Sequence, residues 1–399
     1  VKWILIISII IIAWCVVDFH LGKRLHRKKL RKREYPLRNG ELTFITTGKD
    51  LFNMFFSDIQ HAASTIHILF FIVKNDKISM EFMTLLQKKA KEGVQVRLLL
   101  DWAGSRFHVS RKTLQQLKAA GVEIEFSHQP SFPFYFFSLQ QRNHRKITVI
   151  DGKIGYTGGY NIGKEYINLD PVLSPWRDYH LRITGESVGD LQQEFLIDWE
   201  RIHHIDGKIH SISPSPSLTA HHVQHRFFPS EGQYLEEEFG DLIDGAKQSI
   251  EIGTPYFVPT KILFEKLLAA VRRGIAVTIL IPNKSDHSLV KEASFRYLRP
   301  LLREGATVYQ YMNGFFHAKV MIIDRNMCDI GTANFDRRSI ALNHEVNCFI
   351  YDQAFTDQVA SVFQKDILHS ELLTLRDLQQ TTWITKIKEL TAWMIQDYL

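Results

Sequence analysis

Two stretches of the chain carry the same string in the same frame: His144-x-Lys146-x4-Asp151 with Gly158 and Asn161, and His317-x-Lys319-x4-Asp324 with Gly331 and Asn334. In both, the Asp follows the His by 7 residues, the Gly by 14 and the Asn by 17. With 18 His in the chain, fewer than about 0.1 chance matches to His-x-Lys-x4-Asp are expected. A chain that repeats a motif in register folds as a duplicated unit. The residue types suit a phosphodiester that is attacked on one side and released on the other: His, Lys and Asn converging on one point, twice, with no metal required.

The coarse plan along the chain repeats too. The first half reads as a helix near Leu51–Ala63, a strand Ile66–Val73, a helix to Glu92, Gly93 and a strand Val94–Leu100, then a second helix and Gly121 with Val122–Phe126. The second half has a helix to Ala246, a strand from Ile250, a helix to Arg273, Gly274 and Ile275–Ile281, then a helix and Gly305 with Ala306–Tyr311. Strands alternating with helices that end in Gly predict an α/β sheet with helices on both faces. Lys146–Ile150 and Lys319–Ile323 read as short apolar strands, whose alternation sends His144 and Lys146 to one side. At 399 residues the chain suits two domains or one large duplicated one.

Charge is unevenly placed. The formal net charge is +6, but residues 1–34 hold nine bases against Asp18 and Glu34, leaving residues 35–399 with 40 bases and 41 acids. A near-neutral body argues against a nuclease, whose groove should be basic. Trp3–Val17 carries no charge and is dominated by Ile, and it meets Asp18 and then the bases Lys23–Arg33. That order predicts a retained membrane anchor with its basic flank on the cytoplasmic side, the flank doubling as a clamp on anionic headgroups. The expected organisation is therefore a transmembrane anchor at 1–21, a basic juxtamembrane segment at 22–40, a first domain at 41–204, a linker at 205–225, and a second domain with a C-terminal helix at 226–399. The linker contains Ser213-Pro214-Ser215-Pro216, and the histidines in and beside it (His203, His204, His210, His221, His222, His225) read as a solvated connector rather than a metal site. Cys15, Cys328 and Cys348 give neither a disulfide framework nor metal spacing. In the C-terminal segment, Trp383, Ile387, Leu390 and Met394 fall at helical spacing and are expected to dock on the core.

From Gly121 to His144 is 23 residues, and from Gly305 to His317 is 12. The extra length carries Phe132, Phe134, Tyr135, Phe136 and Phe137, which either cap the core or form an apolar lip that meets acyl chains.

The motifs resemble the phospholipase D superfamily. The flanks narrow it: His144-Arg145-Lys146-Ile147, Gly155 to Gly163, Pro175-Trp176-Arg177-Asp178, Thr254-Pro255-Tyr256-Phe257-Val258-Pro259 and Gly331-Thr332-Ala333-Asn334-Phe335-Asp336-x-Arg338-Ser339 look like bacterial cardiolipin synthase. Two features depart from that pattern: one N-terminal span where longer members carry two, and His344 where an aromatic is usual. The resemblance implies two phospholipase D-like α/β sandwich halves with one active site at their interface. It implies His144 as nucleophile forming a phosphohistidine and His317 as general acid and then base, an order the residues themselves leave open. Lys146, Lys319, Asn161 and Asn334 would hold the phosphate oxygens, and Asp178 and Glu345 would fix the imidazole tautomers. Asp151 and Asp324 complete the catalytic motif in sequence but read as structural, holding the turn after the strand. The expected activity is transfer of phosphatidyl from one phosphatidylglycerol to another, with glycerol released, no cofactor or metal, and no nucleic-acid partner. The alternative is a phospholipase D-type phosphodiesterase with water as acceptor.

Overall fold

A computed structural model describes residues 2–203, 223–287, 289–380 and 382–398. The expected 205–225 linker lies almost wholly outside them. His225, the last residue of that span, is described and belongs to a strand.

The first half contributes β1 (Arg38–Ile45), β2 (Thr65–Phe70), β3 (Gln95–Asp101), β4 (Glu123–Ser127), β5 (Ile147–Ile150), β6 (Ile154–Gly158), the two-residue β7 (Trp176–Arg177) and β8 (His180–Gly185). The second contributes β9 (Val223–Glu231), β10 (Ser249–Gly253), β11 (Ala276–Pro282), β12 (Thr307–Tyr311), the two-residue β13 (Phe315–Phe316), β14 (Val320–Ile323), β15 (Met327–Gly331), β16 (His344–Ile350) and β17 (Ser370–Leu372). All but β7 and β13 join one 15-stranded sheet in the order β17-β12-β11-β10-β14-β15-β16-β9-β1-β8-β6-β5-β2-β3-β4. Read outward from the centre, β1-β8-β6-β5-β2-β3-β4 and β9-β16-β15-β14-β10-β11-β12 are the same arrangement twice. The halves meet where β1 pairs antiparallel with β9, Arg38 opposite His225 and Gly40 opposite Val223.

Local chemistry explains the repeated units. Thr47, Asp76 and Ser110 cap helices of the first half and Thr260 and Asp352 helices of the second, each side chain accepting a backbone N–H of the first turn. Gly93 and Gly274 follow equivalent helices with φ of 90° and 85°, a left-handed conformation that favours Gly. The strands bury both faces. One face is shared by the two halves and covered by the helices Val188–Ile202 and Gln353–Leu368, with Leu69, Leu181, Leu280 and Ile322 in one continuous core. The other face is covered separately in each half. Helices therefore lie on both faces, as the sequence pattern implies.

Three expectations need correction. The strand written as Ile66–Val73 ends at Phe70, because Phe71 and Ile72 turn away to line a cavity. The C-terminal helix, Trp383–Met394, does not bury its apolar residues: Trp383, Ile387, Leu390 and Met394 are 70, 53, 56 and 62 % exposed. Its polar side holds the body instead. The basic flank is not simply free for lipid. The N-terminal helix runs from Lys2 to Lys29, long and apolar enough to cross a membrane, and it is buried only at Asp18, Phe19 and Gly22. Beyond it, Lys32 pairs with Glu238 at 2.9 Å, and Arg33 spans Glu194 at 2.9 Å and Glu231 at 2.5 Å. Of the insertion aromatics, Phe137 is buried against Phe19 and Phe132 is 80 % exposed, so the segment both caps and projects.

Candidate active site

His144 with Lys146 and His317 with Lys319 lie in the short loops that lead into β5 and β14, each strand starting one residue after its lysine rather than at it. What brings them together is a crossed pairing. Phe315 and Phe316 of β13 lie parallel to Trp176 and Arg177 of β7, and the His317 N–H donates to Arg177 O at 2.7 Å. On the other side the His144 N–H donates to His344 O and the His344 N–H to Arg142 O, both at 2.9 Å. Each histidine loop of one half is thus stitched to the carboxylate-bearing segment of the other.

The side chains follow the backbone. His144 Nδ1 lies 2.9 Å from Glu345 Oε2, and His317 Nδ1 2.6 Å from Asp178 Oδ2. A carboxylate on Nδ1 holds that nitrogen as the donor and leaves Nε2 as the free lone pair. Thr332 Oγ1 donates to Glu345 at 2.5 Å, and the indole of Trp176 packs 4.8 Å from the His317 ring with its N–H toward Asp178. Burial alone would raise the pKa of both carboxyls. Lys319 and His317 outweigh it at Asp178, and His144 and Lys146 at Glu345, holding both below their ordinary values.

Burial drives the imidazoles toward neutrality. His317 falls to about 4, Lys319 adding to the effect and Asp178 opposing it. His144 is lowered for the same reason, with Glu345 opposing. Lys146 and Lys319 are lowered to about 7 and about 8 by burial. Lys146 Nζ donates to His144 O at 2.8 Å, and Lys319 Nζ donates to His317 O and approaches His317 Nδ1 at 2.7 Å. Each lysine therefore sits behind its histidine, its ammonium held nearer to neutrality than that of an exposed lysine.

His144, His317, Asn161 and Asn334 line one cavity of about 370 Å³. Asn161 Oδ1 accepts the Ile72 N–H at 3.1 Å while its amide donates to Tyr166. Asn334 Oδ1 is buried with no hydrogen-bond partner among the described residues. Asp151 and Asp324 are not in the cavity. Asp151 accepts the N–H groups of Ala63, Ser64 and Thr65 at 2.8, 2.7 and 2.9 Å, and Asp324 those of Lys247, Gln248 and Ser249 at 2.8, 2.7 and 2.9 Å. Both stand at positive φ, 52° and 53°, tying the far end of the motif strand to its neighbour.

A family model described as cardiolipin synthase, PLD-like domain, matches residues 55–199 and 240–367. The chain belongs to the cardiolipin synthase family. It is an enzyme of the phospholipase D superfamily. The minor cardiolipin synthase ClsB of Bacillus subtilis is 43 % identical over 380 residues, 95 % of this chain and 94 % of that protein. The major cardiolipin synthase ClsA of the same organism is 39 % identical, over 89 % of this chain and 74 % of its own length. A phosphatidylserine synthase from Haemophilus influenzae shares the fold at a TM-score of 0.73 and 15 % identity, covering 94 % of this chain and 99 % of its own.

This cardiolipin synthase family chain uses residues that spacing alone did not single out. Phe71 packs edge-on to the His144 ring at 5.0 Å, and Tyr256, Asp286, Arg142 and Tyr398 complete the cavity wall. Trp176 was within reach of sequence reasoning, two residues from Asp178. Phe71 had no such signal, being one apolar residue at a strand end. Among the described residues, Asp198, Glu231 and His344 are the one group whose ligand atoms lie close enough for a metal. Its carboxylates are already met by Arg33, Arg145 and Arg201, so the cluster reads as a charge network that fixes Arg145, next to His144.

Proposed function

We propose that the chain makes cardiolipin by transferring a phosphatidyl group between two phosphatidylglycerol molecules. The observation that carries this is the pair of buried imidazoles, one per half, each with Nδ1 held by a carboxylate of the opposite half at one cavity. The N-terminal apolar helix supports a cavity that works beside lipid, and the near-neutral charge of the body, taken as cytoplasmic, favours lipid over nucleic acid as substrate.

In the first step His144 Nε2 attacks phosphorus. The N–P bond forms as the P–O bond to glycerol breaks, and His317 gives its proton to the departing alkoxide. In the second step His317 takes the proton from a headgroup hydroxyl of another phosphatidylglycerol. That oxygen bonds to phosphorus as the N–P bond breaks. Burial lowers His317 to about 4, so the phosphodiester's negative charge between the rings is what favours its protonated form. Lys146, Lys319, Asn161 and Asn334 stabilise the phosphorane oxygens.

The test is the full-length protein incubated with phosphatidylglycerol alone. Cardiolipin and free glycerol in equal amounts support the proposal. Phosphatidic acid without cardiolipin would make the chain a hydrolase that uses water. A phosphatidyl adduct mapped to His317 would reverse the two histidine roles.

A further inference from the structure

The Trp383–Met394 helix is amphipathic, and it is mounted with its polar side inward. Arg299 donates to both carboxylate oxygens of Glu389, at 2.6 and 2.7 Å, and Lys388 pairs with Glu292 at 3.3 Å. Just beyond the helix, Tyr297 donates to Gln396 at 2.7 Å and Arg337 to Asp397 at 2.6 Å. Ala392 is its one buried residue. Trp383, Ile384, Ile387, Leu390 and Met394 stand exposed on one side, at spacings that make a single helical stripe.

The position of this stripe says what covers it. Tyr398, just past the helix, packs its ring on Phe19 at 4.8 Å and on Phe136 at 5.7 Å. Asp18 and Phe19 are where the N-terminal helix changes from exposed apolar surface to contact with the body. If that helix spans the bilayer, this is the level at which it leaves the bilayer. The C-terminal helix therefore ends at the same level, continuous with the membrane contact. Tyr398 also lines the catalytic cavity, and its carbonyl accepts from Arg338 at 2.9 Å. The membrane exit and the cavity wall meet at Tyr398, four residues past the last residue of the stripe.

We infer that Trp383–Met394 is a second membrane-binding element: it lies in the interface with its apolar stripe in the acyl region and holds the cavity mouth at the lipid surface. An exposed stripe flanked by Trp and Lys, on a helix whose other side is spent on protein, suits a headgroup–acyl boundary. The membrane contact stands by itself, and the positioning of the mouth rests on the lipid-transfer proposal.

The experiment uses full-length protein in vesicles of phosphatidylglycerol and phosphatidylcholine, in a Cys15→Ser background. A fluorophore on Ile387→Cys is compared with one on Lys88→Cys, and acyl-chain bromine serves as quencher. The expected result is quenching at 387 at least about threefold stronger than at 88. Equal quenching at the two sites overturns the inference. So does disulfide crosslinking of Ile387→Cys between copies in lipid-free detergent, which would assign the stripe to a second copy of the chain. In a second arm, Ile387→Ser with Leu390→Ser should cut turnover on vesicles about tenfold. Turnover on detergent-dispersed substrate and melting temperature should not change. Unchanged vesicle turnover overturns the positioning of the mouth, and that result leaves cardiolipin formation itself untouched.

Discussion

The crossed carboxylates give the individual residues distinguishable phenotypes. Asp178→Asn and Glu345→Gln keep size but lose the charge that fixes Nδ1, so each should lower transfer by about 10²–10⁴-fold. Because Glu345 serves His144, Glu345→Gln should suppress formation of the phosphatidyl adduct itself. Because Asp178 serves His317, Asp178→Asn should act on proton transfer in both steps, and a pH–rate profile for the first step should show its alkaline limb moved to lower pH, where His317 loses the proton it donates. An alkaline limb that moves in Glu345→Gln and not in Asp178→Asn would contradict the assignment. Asp151→Ala should behave differently, costing about 2 kcal/mol of stability through three N–H groups deprived of a charged acceptor, with the turnover of the folded fraction retained. The histidines, lysines and asparagines were legible because spacing repeats. The pairing of Asp178 with His317 was not, since it depends on β7 and β13 meeting from opposite halves, and no local pattern encodes that.

Among elements, the N-terminal segment does two jobs that divide near Asp18. Removing residues 2–16 takes away mainly exposed apolar surface, with Lys2 and the half-buried Cys15, whereas removing 2–34 also deletes Phe19 and Arg33. Arg33 is bidentate on Glu194 and reaches Glu231, beside the fully buried Arg145. Deletion to residue 34 should therefore lower the melting temperature in detergent and deletion to residue 16 should not. Arg33→Ala alone should cost about 1–3 kcal/mol. Equal melting of all three proteins would show that the body does not need the segment. The sequence marks the apolar run and the basic cluster plainly, yet it cannot say which bases face lipid and which face protein, because Lys and Arg suit both. The C-terminal helix fails for the same reason. Helical spacing shows that one side is apolar without saying which side is turned to the body.

For the whole molecule, the buried histidines set the acid limit. His67 and His317 are lowered to about 4 and His180 to about 3, chiefly by burial, so the unfolded chain binds more protons in that range. Their contribution is intact above pH of about 6.5 and is lost as pH falls toward 4, at up to about 1.4 kcal/mol per unit for each. Asp329 and Asp336, raised by burial to about 8 and about 6, act in the opposite direction, while the buried His128, His225 and His344, also lowered, add to the three. Thermal melts from pH 7.5 to 5 should show falling stability, with a shallower slope in His67→Gln. Turnover should persist in excess chelator, since the proposed steps route no charge through a metal; loss restored by one particular cation would refute them. The duplicated α/β plan could be read from Gly and strand periodicity. The joining of both halves into one sheet through β1 and β9 could not, because three backbone pairs carry no side-chain signature. That seam has a further meaning. An arrangement in which each half supplies the carboxylate for the other's imidazole is what a two-fold symmetric dimer produces automatically, and here the two partners are one polypeptide. Two identical copies must tune both histidines alike. A single chain is free of that constraint: burial, with Lys319, lowers His317 to about 4 while Thr332 braces Glu345 behind His144, an asymmetry that suits the proposed division between attack and proton transfer.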